Sequence, residues 1–244
     1  MALTDNLISV WHMNNDWQDS IGTNHGTATG AIFDATVKKL GSHAGSFDGI
    51  DDVVTIVDDS SLETPSKSIS LWVRFTSVVV DQMLVEHGLG SDGEGYQFVL
   101  LSSKVYFSVG FNATPPWTWE VSINSTTTFV INTWYNLVVV CTSGKQRLYV
   151  NGVLEASSAV AGSIYYYGQM RLGRDLYNKP LKGRLDEVNT WSRALTDGGV
   201  SLGQTAGGEV AELWNGGAGI EIGAAAGQPM SLRGCHIPGI RQWQ

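Results

Sequence analysis

The sequence predicts an all-β protein: an antiparallel β-sandwich of jelly-roll type, with a short helix near residues 208–214 and a C-terminal extension. Three observations predict it. Short segments of alternating apolar and polar residues recur, with turn signals between them at roughly 8- to 12-residue intervals, as in sandwiches and jelly rolls. The chain has 29 glycines and nine tryptophans in 244 residues, which suits many turns around an aromatic-rich core. Only 16% of residues are charged, too few for disorder or for long solvated helices.

Leu7-Ile8-Ser9-Val10-Trp11-His12-Met13 alternates and reads as a first strand. Asp16 to Gly26 follows as a polar, glycine-punctuated loop. Ser46 to Ile56 is extended and broken by a turn at Asp48-Gly49. Ile69-Ser70-Leu71-Trp72-Val73-Arg74-Phe75 alternates cleanly, as do Gln82 to Glu86 and Tyr96 to Leu101. Val105 to Phe111 follows a Ser-Ser-Lys connection and predicts a hairpin. Trp119–Asn124, Trp134–Thr142, Gln146–Val150, Met170–Gly173 and Gly183–Trp191 continue the series. Asn151-Gly152 predicts a two-residue hairpin turn, because a type I′ turn needs positive φ at both central positions. Gly208 to Trp214 has helical spacing and stops at Asn215-Gly216-Gly217.

The formal charge of −8 and pI near 5.0 argue against a surface that tracks phosphates, so no nucleic-acid partner is expected. No stretch reaches transmembrane length, and membrane insertion is not expected. Cys141 sits in the apolar run Leu137-Val138-Val139-Val140 and reads as a small buried hydrophobe; Cys235 lies in the tail, and nothing else suggests a disulfide framework. Met1 to Ile8 has no basic n-region and no long apolar h-region, so no secretory signal is expected there. Release from a cytoplasm with a phage particle at lysis is one route that needs none.

Three segments belong together: Gly45-Ser46-Phe47-Asp48-Gly49-Ile50-Asp51-Asp52-Val53-Val54-Thr55-Ile56, Leu148-Tyr149-Val150-Asn151-Gly152-Val153, and Gly183-Arg184-Leu185-Asp186-Glu187-Val188. In this order, with the loop Asp19 to Gly26, the Ile69–Val73 strand, Trp134–Val140 and the ending Leu213–Gly219, they resemble the laminin-G-like jelly roll of the concanavalin-A-like lectin/glucanase superfamily. The resemblance runs from about Leu7 to Gly219, so the domain is placed at 1–219 and the extension at 220–244. It implies binding rather than catalysis, and it implies core roles for Phe47, Trp72, Trp134, Leu185 and Val188.

The resemblance also implies a structural calcium that ties the early loop to the closing strand. Asp19, Asn24 and the backbone near Gly22 and His25 supply hard oxygens, and Asp186 would complete the shell. The alternative is an Asx-turn in which Asp19 and Asn24 bond their own backbone without a metal. Strand alternation places Glu187 on the face opposite Asp186, and Arg193 is its expected ion-pair partner. Trp117 and Trp119, two residues apart in Pro115-Pro116-Trp117-Thr118-Trp119, share a face when extended and are candidate sugar-stacking rings. Tyr166, within Tyr165-Tyr166-Tyr167, is a third; each ring equally suits an interface or the core.

Catalytic patterns are missing. There is no Glu-x-Asp-x-x-Glu strand, no His-Glu-x-x-His and no Gly-x-Ser-x-Gly elbow. The expectation is a non-catalytic, surface-displayed protein. The first candidate is a phage virion component, as capsid decoration or tail, that forms homo-oligomers or contacts other virion subunits through its tail and has surface glycans as further partners. The alternative is a carbohydrate-binding module of a secreted protein, extracellular or at a cell surface.

Overall fold

The computed structural model describes residues 1–88, 95–110, 121–160, 164, 166 and 168–223. Its strands in chain order are β1 (Leu7–Trp11), β2 (Gly26–Thr29), β3 (Ile32–Asp34), β4 (Ala44–Asp48), β5 (Val53–Ile56), β6 (Lys67–Phe75), β7 (Gln82–His87), β8 (Tyr96–Leu101), β9 (Lys104–Val109), β10 (Val121–Asn124), β11 (Trp134–Cys141), β12 (Lys145–Val150), β13 (Val153–Ala159), β14 (Met170–Leu172) and β15 (Lys182–Trp191), and the helix α1 spans Gly208–Trp214. The first sheet has the order β13-β12-β11-β6-β15-β4-β3, and β1 takes the part of the β15 edge that β4 leaves free. The second has the order β10-β9-β8-β7-β14-β5-β2, and every pairing given is antiparallel. This is the predicted sandwich.

The core between the sheets is built by alternation. Ile69, Leu71, Val73 and Phe75 of β6 and Leu137, Val139 and Cys141 of β11 meet Tyr96, Phe98, Leu100, Phe107 and Met170 from the second sheet. Burial pushes the Cys141 thiol up to about 12, so it stays a protonated apolar group. Asn151 (φ 51°) and Gly152 (φ 76°) make the expected turn between β12 and β13.

A second apolar layer lies outside the first sheet. Val138 and Val140 of β11, Tyr149 of β12 and Trp191 of β15 are covered by Leu195, Ala206, Val210 and Leu213, and by Ile222. The run Leu137 to Cys141 is apolar at every position because both of its faces are buried. Arg193 pins this cover. Its guanidinium forms a bidentate pair with Glu209 of α1 and donates to the carbonyls of Asp5 (2.7 Å) and Ala2 (2.9 Å). Burial opposes ionisation of Glu209, but Arg193 and the backbone and hydroxyl of Thr196 hold its carboxyl down to about 2.

Several expectations are revised. Glu187 and Arg193 do not pair: His12 Nδ1 lies 2.8 Å from Glu187 Oε1, and Arg193 takes Glu209. The alternation around Asp186 is broken by a bulge opposite β6 in which Glu187 adopts φ 50°. Trp72 is buried, but on the outer face, where it stacks on Trp214 at 5.6 Å beneath Lys39 Nζ, while Trp134 is only half-buried. β2 and β3 were not anticipated. The first four residues of the predicted extension, 220–223, lie on their own domain through Ile220 and Ile222; residues 224–244, with Cys235, lie outside the described residues.

Replacing Glu209 with Ala strands a buried guanidinium and is expected to lower stability by about 3 kcal/mol in urea unfolding. At the β12–β13 turn, Gly152→Ala places a Cβ at positive φ, 2.9 Å from Trp214 Cδ1, and should lose about 1–2 kcal/mol. Gly144→Ala, where a Cβ meets nothing within 4 Å, is the control and should fall within about 0.5 kcal/mol of the parent.

Candidate functional site

One end of the second sheet gathers the loops. Gly26, Ile56, Met170, His87 and Tyr96 are successive register partners across β2, β5, β14, β7 and β8, and each stands at the terminus of its strand. The loops before Gly26 and after Ile56 enclose an open cavity of about 310 Å³ lined by Thr23, Asn24, His25, Val57, Asp58 and Asp59. Five of these six side chains are polar, so the cavity presents hydroxyl, amide, imidazole and carboxylate groups together.

Behind it lies a buried polar cluster. His87 is fully buried, neither ring nitrogen makes a hydrogen bond, and its Nε2 is 3.6 Å from Asp58 Oδ1. Burial and the nearby Lys67 push His87 down to about 3, so its imidazole is neutral. Lys67, at the start of β6, donates to the Leu62 carbonyl and lies 5.5 Å and 5.4 Å from the ring centres of Tyr96 and Tyr166. Burial drives its ammonium down to about 7.

One residue in from the strand ends, the outer face of the sheet carries a row of polar side chains in register across every strand: Thr27, Thr55, Arg171, Glu86, Gln97, Ser108 and Ser122. The same alternation that sends Val54, Met170, Phe98 and Phe107 inward directs this set outward. The Thr27–Thr55 end is open to solvent and adjoins the cavity, whereas Glu86, Gln97 and Ser108 are buried. Arg171 Nη1 lies 3.4 Å from Glu86 Oε2 and donates to the Gly88 carbonyl at 3.2 Å. Burial and the charge of Asp175 push Glu86 up to about 7, against Arg171. Asp175 is itself committed to the backbone N–H groups of Tyr177 and Lys179 and to the Lys179 ammonium.

The residues singled out from sequence fall in different places. Asp19 Oδ1 accepts from the N–H groups of Val10 (3.0 Å) and Ile21 (3.2 Å), and its Oδ2 accepts from Asn24 N (3.2 Å). The Asn24 amide donates to Ser9 Oγ and Ser61 Oγ. Asp186 accepts from Lys39 N (2.7 Å) and Leu40 N (3.0 Å), and it shares no hydrogen-bond partner with Asp19. The N–H donors converging on Asp19 form the Asx-turn, and Asp19 and Asp186 accept from different segments of the chain. Tyr166 donates its hydroxyl to the Thr64 carbonyl (2.9 Å) and packs its ring on His87 and Tyr96, so both of its ends are engaged within the chain. Trp117 and Trp119 lie outside the described residues, in the segment between β9 and β10.

Sequence reasoning missed Asp58, Asp59, Lys67 and Arg171. Only Asp58-Asp59, an acidic pair one residue beyond a strand, carries a local signal.

The folded state holds fewer protons on Lys67 than the unfolded chain, whose lysine titrates near 10.5. Stability contributed by this group is therefore expected to rise with pH from about 7 to about 10, where tyrosine ionisation takes over. Lys67→Met should flatten that slope in denaturation midpoints measured at pH values from about 7.5 to about 9.5.

The family model for the concanavalin A-like lectin/glucanases superfamily matches residues 48–201. No curated protein matches the sequence. Among solved structures, domain 4 of an extracellular GH43 arabinanase from Geobacillus stearothermophilus, in complex with arabinotriose, is similar at 19% identity and TM-score 0.62, over 78% of this chain and 94% of that one. The binding domain of Paraclostridial Mosquitocidal Protein 1 is similar at 18% identity and TM-score 0.63, over 80% of this chain and 51% of that one. A botulinum neurotoxin type C structure, whose cell entry depends on two ganglioside molecules, is similar at 15% identity and TM-score 0.58, over 78% of this chain and 49% of that one. This chain thus spans about half the length of the toxin domains it resembles. With the family model covering more than half of the sequence and both sheets in jelly-roll order, the chain belongs to the concanavalin A-like lectin/glucanases superfamily.

Proposed function

We propose that the protein is a non-catalytic glycan-binding module that engages its ligand at the loop end of the second sheet. The observation that carries this reading is the polar cavity of Thr23, Asn24, His25, Asp58 and Asp59, which opens onto the solvent-facing Thr27–Thr55 end of the in-register row. Neighbouring strands are about 4.8 Å apart, so successive side chains of the row match the scale on which a sugar presents its hydroxyls. The exposed Asp58 and Asp59 carboxylates accept from those hydroxyls, and the hydroxyls of Thr23, Thr27 and Thr55 donate or accept. The arabinotriose complex of a similar domain supports the same ligand class, as does its extracellular setting. Non-catalysis is supported by the engagement of carboxylates in and beside the row: Glu86 is buried against Arg171, and Asp175 is engaged by Lys179. Display on a virion, with subunit contacts through the tail, rests on residues 224–244 and draws nothing from the described part.

On an oligosaccharide array followed by calorimetry, the protein is expected to bind at least one neutral or acidic glycan class. Asp58→Asn and Asp59→Asn should each weaken that binding by about tenfold. Binding untouched by both changes would move the site away from the cavity, and no binding across a broad array would remove the reading.

A further inference from the structure

Away from the proposed glycan site, the outer face of the first sheet gathers three carboxylates around one imidazole. After α1 the chain crosses this face as a strap. Ile220 and Ile222 pack onto the second apolar layer, and Glu221, between them, stays exposed. Below it, the bulge at Glu187 turns a fully buried carboxylate toward the end of β1, with both oxygens 2.8 Å and 3.0 Å from His12 Nδ1. Ligand atoms of His12, Glu187 and Glu221 all lie within 4.8 Å of one another. Asn14 Nδ2 donates to Glu221 Oε1 at 2.9 Å.

Asp186 adds a further carboxylate. It is fully buried, its Oδ2 is used by the Lys39 and Leu40 amides, its Oδ1 has no partner, and its charge acts on His12. The cations at hand are few. His12 is shared with Glu187, and the Lys39 ammonium is held by the Gly217 carbonyl and the Trp72 ring. Three carboxylates therefore gather around one imidazole, with the Lys39 ammonium acting on Asp186 alone among them.

We infer that His12, Glu187 and Glu221 form a site for a divalent transition-metal cation that fastens the strap 218–223 to β1 and β15. The donor set of one imidazole nitrogen and two carboxylates suits zinc and its neighbours, whereas calcium takes oxygen ligands alone. Metal–ligand distances of about 2.0–2.1 Å put tetrahedral ligands about 3.3 Å apart, close to the His12–Glu187 separation. The exposed Glu221 side chain closes the remaining gap by rotation, and water supplies the fourth position. The buried Asp186 lies beside the site and adds to the field that draws a cation there.

The test uses the full chain, treated with chelator and then given ZnCl₂, CoCl₂ or CaCl₂ at about 50 µM. Zinc is expected to raise the thermal midpoint by about 5 °C, and cobalt to give visible absorption of a four-coordinate nitrogen–oxygen site. Glu221→Gln, at an exposed position that leaves the fold intact, should lose most of the zinc shift, and His12→Gln should lose the cobalt bands. Three results would overturn the inference: no midpoint shift with zinc and no cobalt absorption; a shift retained in both variants, which places the metal elsewhere; or an equal shift with calcium that survives His12→Gln, which makes the site oxygen-only. None of these bears on glycan binding at the other sheet.

Discussion

The fold depends on keeping both faces of the central strands of the first sheet dry. β6, β11 and β15 lie side by side, and their inner faces fill the sandwich core. Their outer faces carry Trp72, Val138, Val140 and Trp191, a surface that would invite association if bare. The segment after β15 covers it, and the Arg193–Glu209 pair holds that cover to the N-terminal residues. A buried guanidinium is tolerable only while its carboxylate and carbonyl partners stay in place, so this one network couples the two ends of the domain.

The two sheets differ on their outer faces. The second sheet has no comparable apolar layer among the described residues, and its outer face carries hydroxyl, amide and charged groups in register. At the end of that sheet, Thr23 to His25 and Val57 to Asp59 form the cavity where we place the proposed glycan contact. Rigid strands fix the spacing of the row, while loops supply the chemistry, the usual division of labour in binding folds.

Buried charge is handled differently in three places. Near the cavity, Lys67 is accommodated by a carbonyl and two aromatic faces and by a lowered affinity for its proton. In the polar row, Glu86 leans on Arg171. At the β15 bulge, Asp186 and Glu187 stand next to each other with one imidazole between them and Glu221. Glu86 Oε1 in the row and Asp186 Oδ1 at the bulge are both buried without a partner. At the bulge, ligand atoms of an imidazole and two carboxylates also lie within 4.8 Å of one another, an arrangement that suits a bound cation.

The sandwich, the long strands β6, β7, β8, β11 and β15, the Asn151-Gly152 turn and the helix at 208–214 were all legible in the chain, because period-two alternation and turn chemistry are local properties. β2 and β3 were not: Gly-Thr-Ala-Thr and Ile-Phe-Asp are too short to carry a period, and only pairing with β5 and β4 makes them strands. The acidic pairing was misread for a related reason. Alternation assumes an unbroken ladder, and the bulge that turns Glu187 toward His12 arises from registering β15 against β6 on one edge and β1 and β4 on the other. The cavity unites residues more than 30 positions apart, and the polar row unites seven strands, so neither has a signature in any one segment. Local patterning decides which residues can be strands and which way they face; only the closed three-dimensional structure decides which distant side chains share a surface, because that depends on strand order and register rather than on neighbours in the chain.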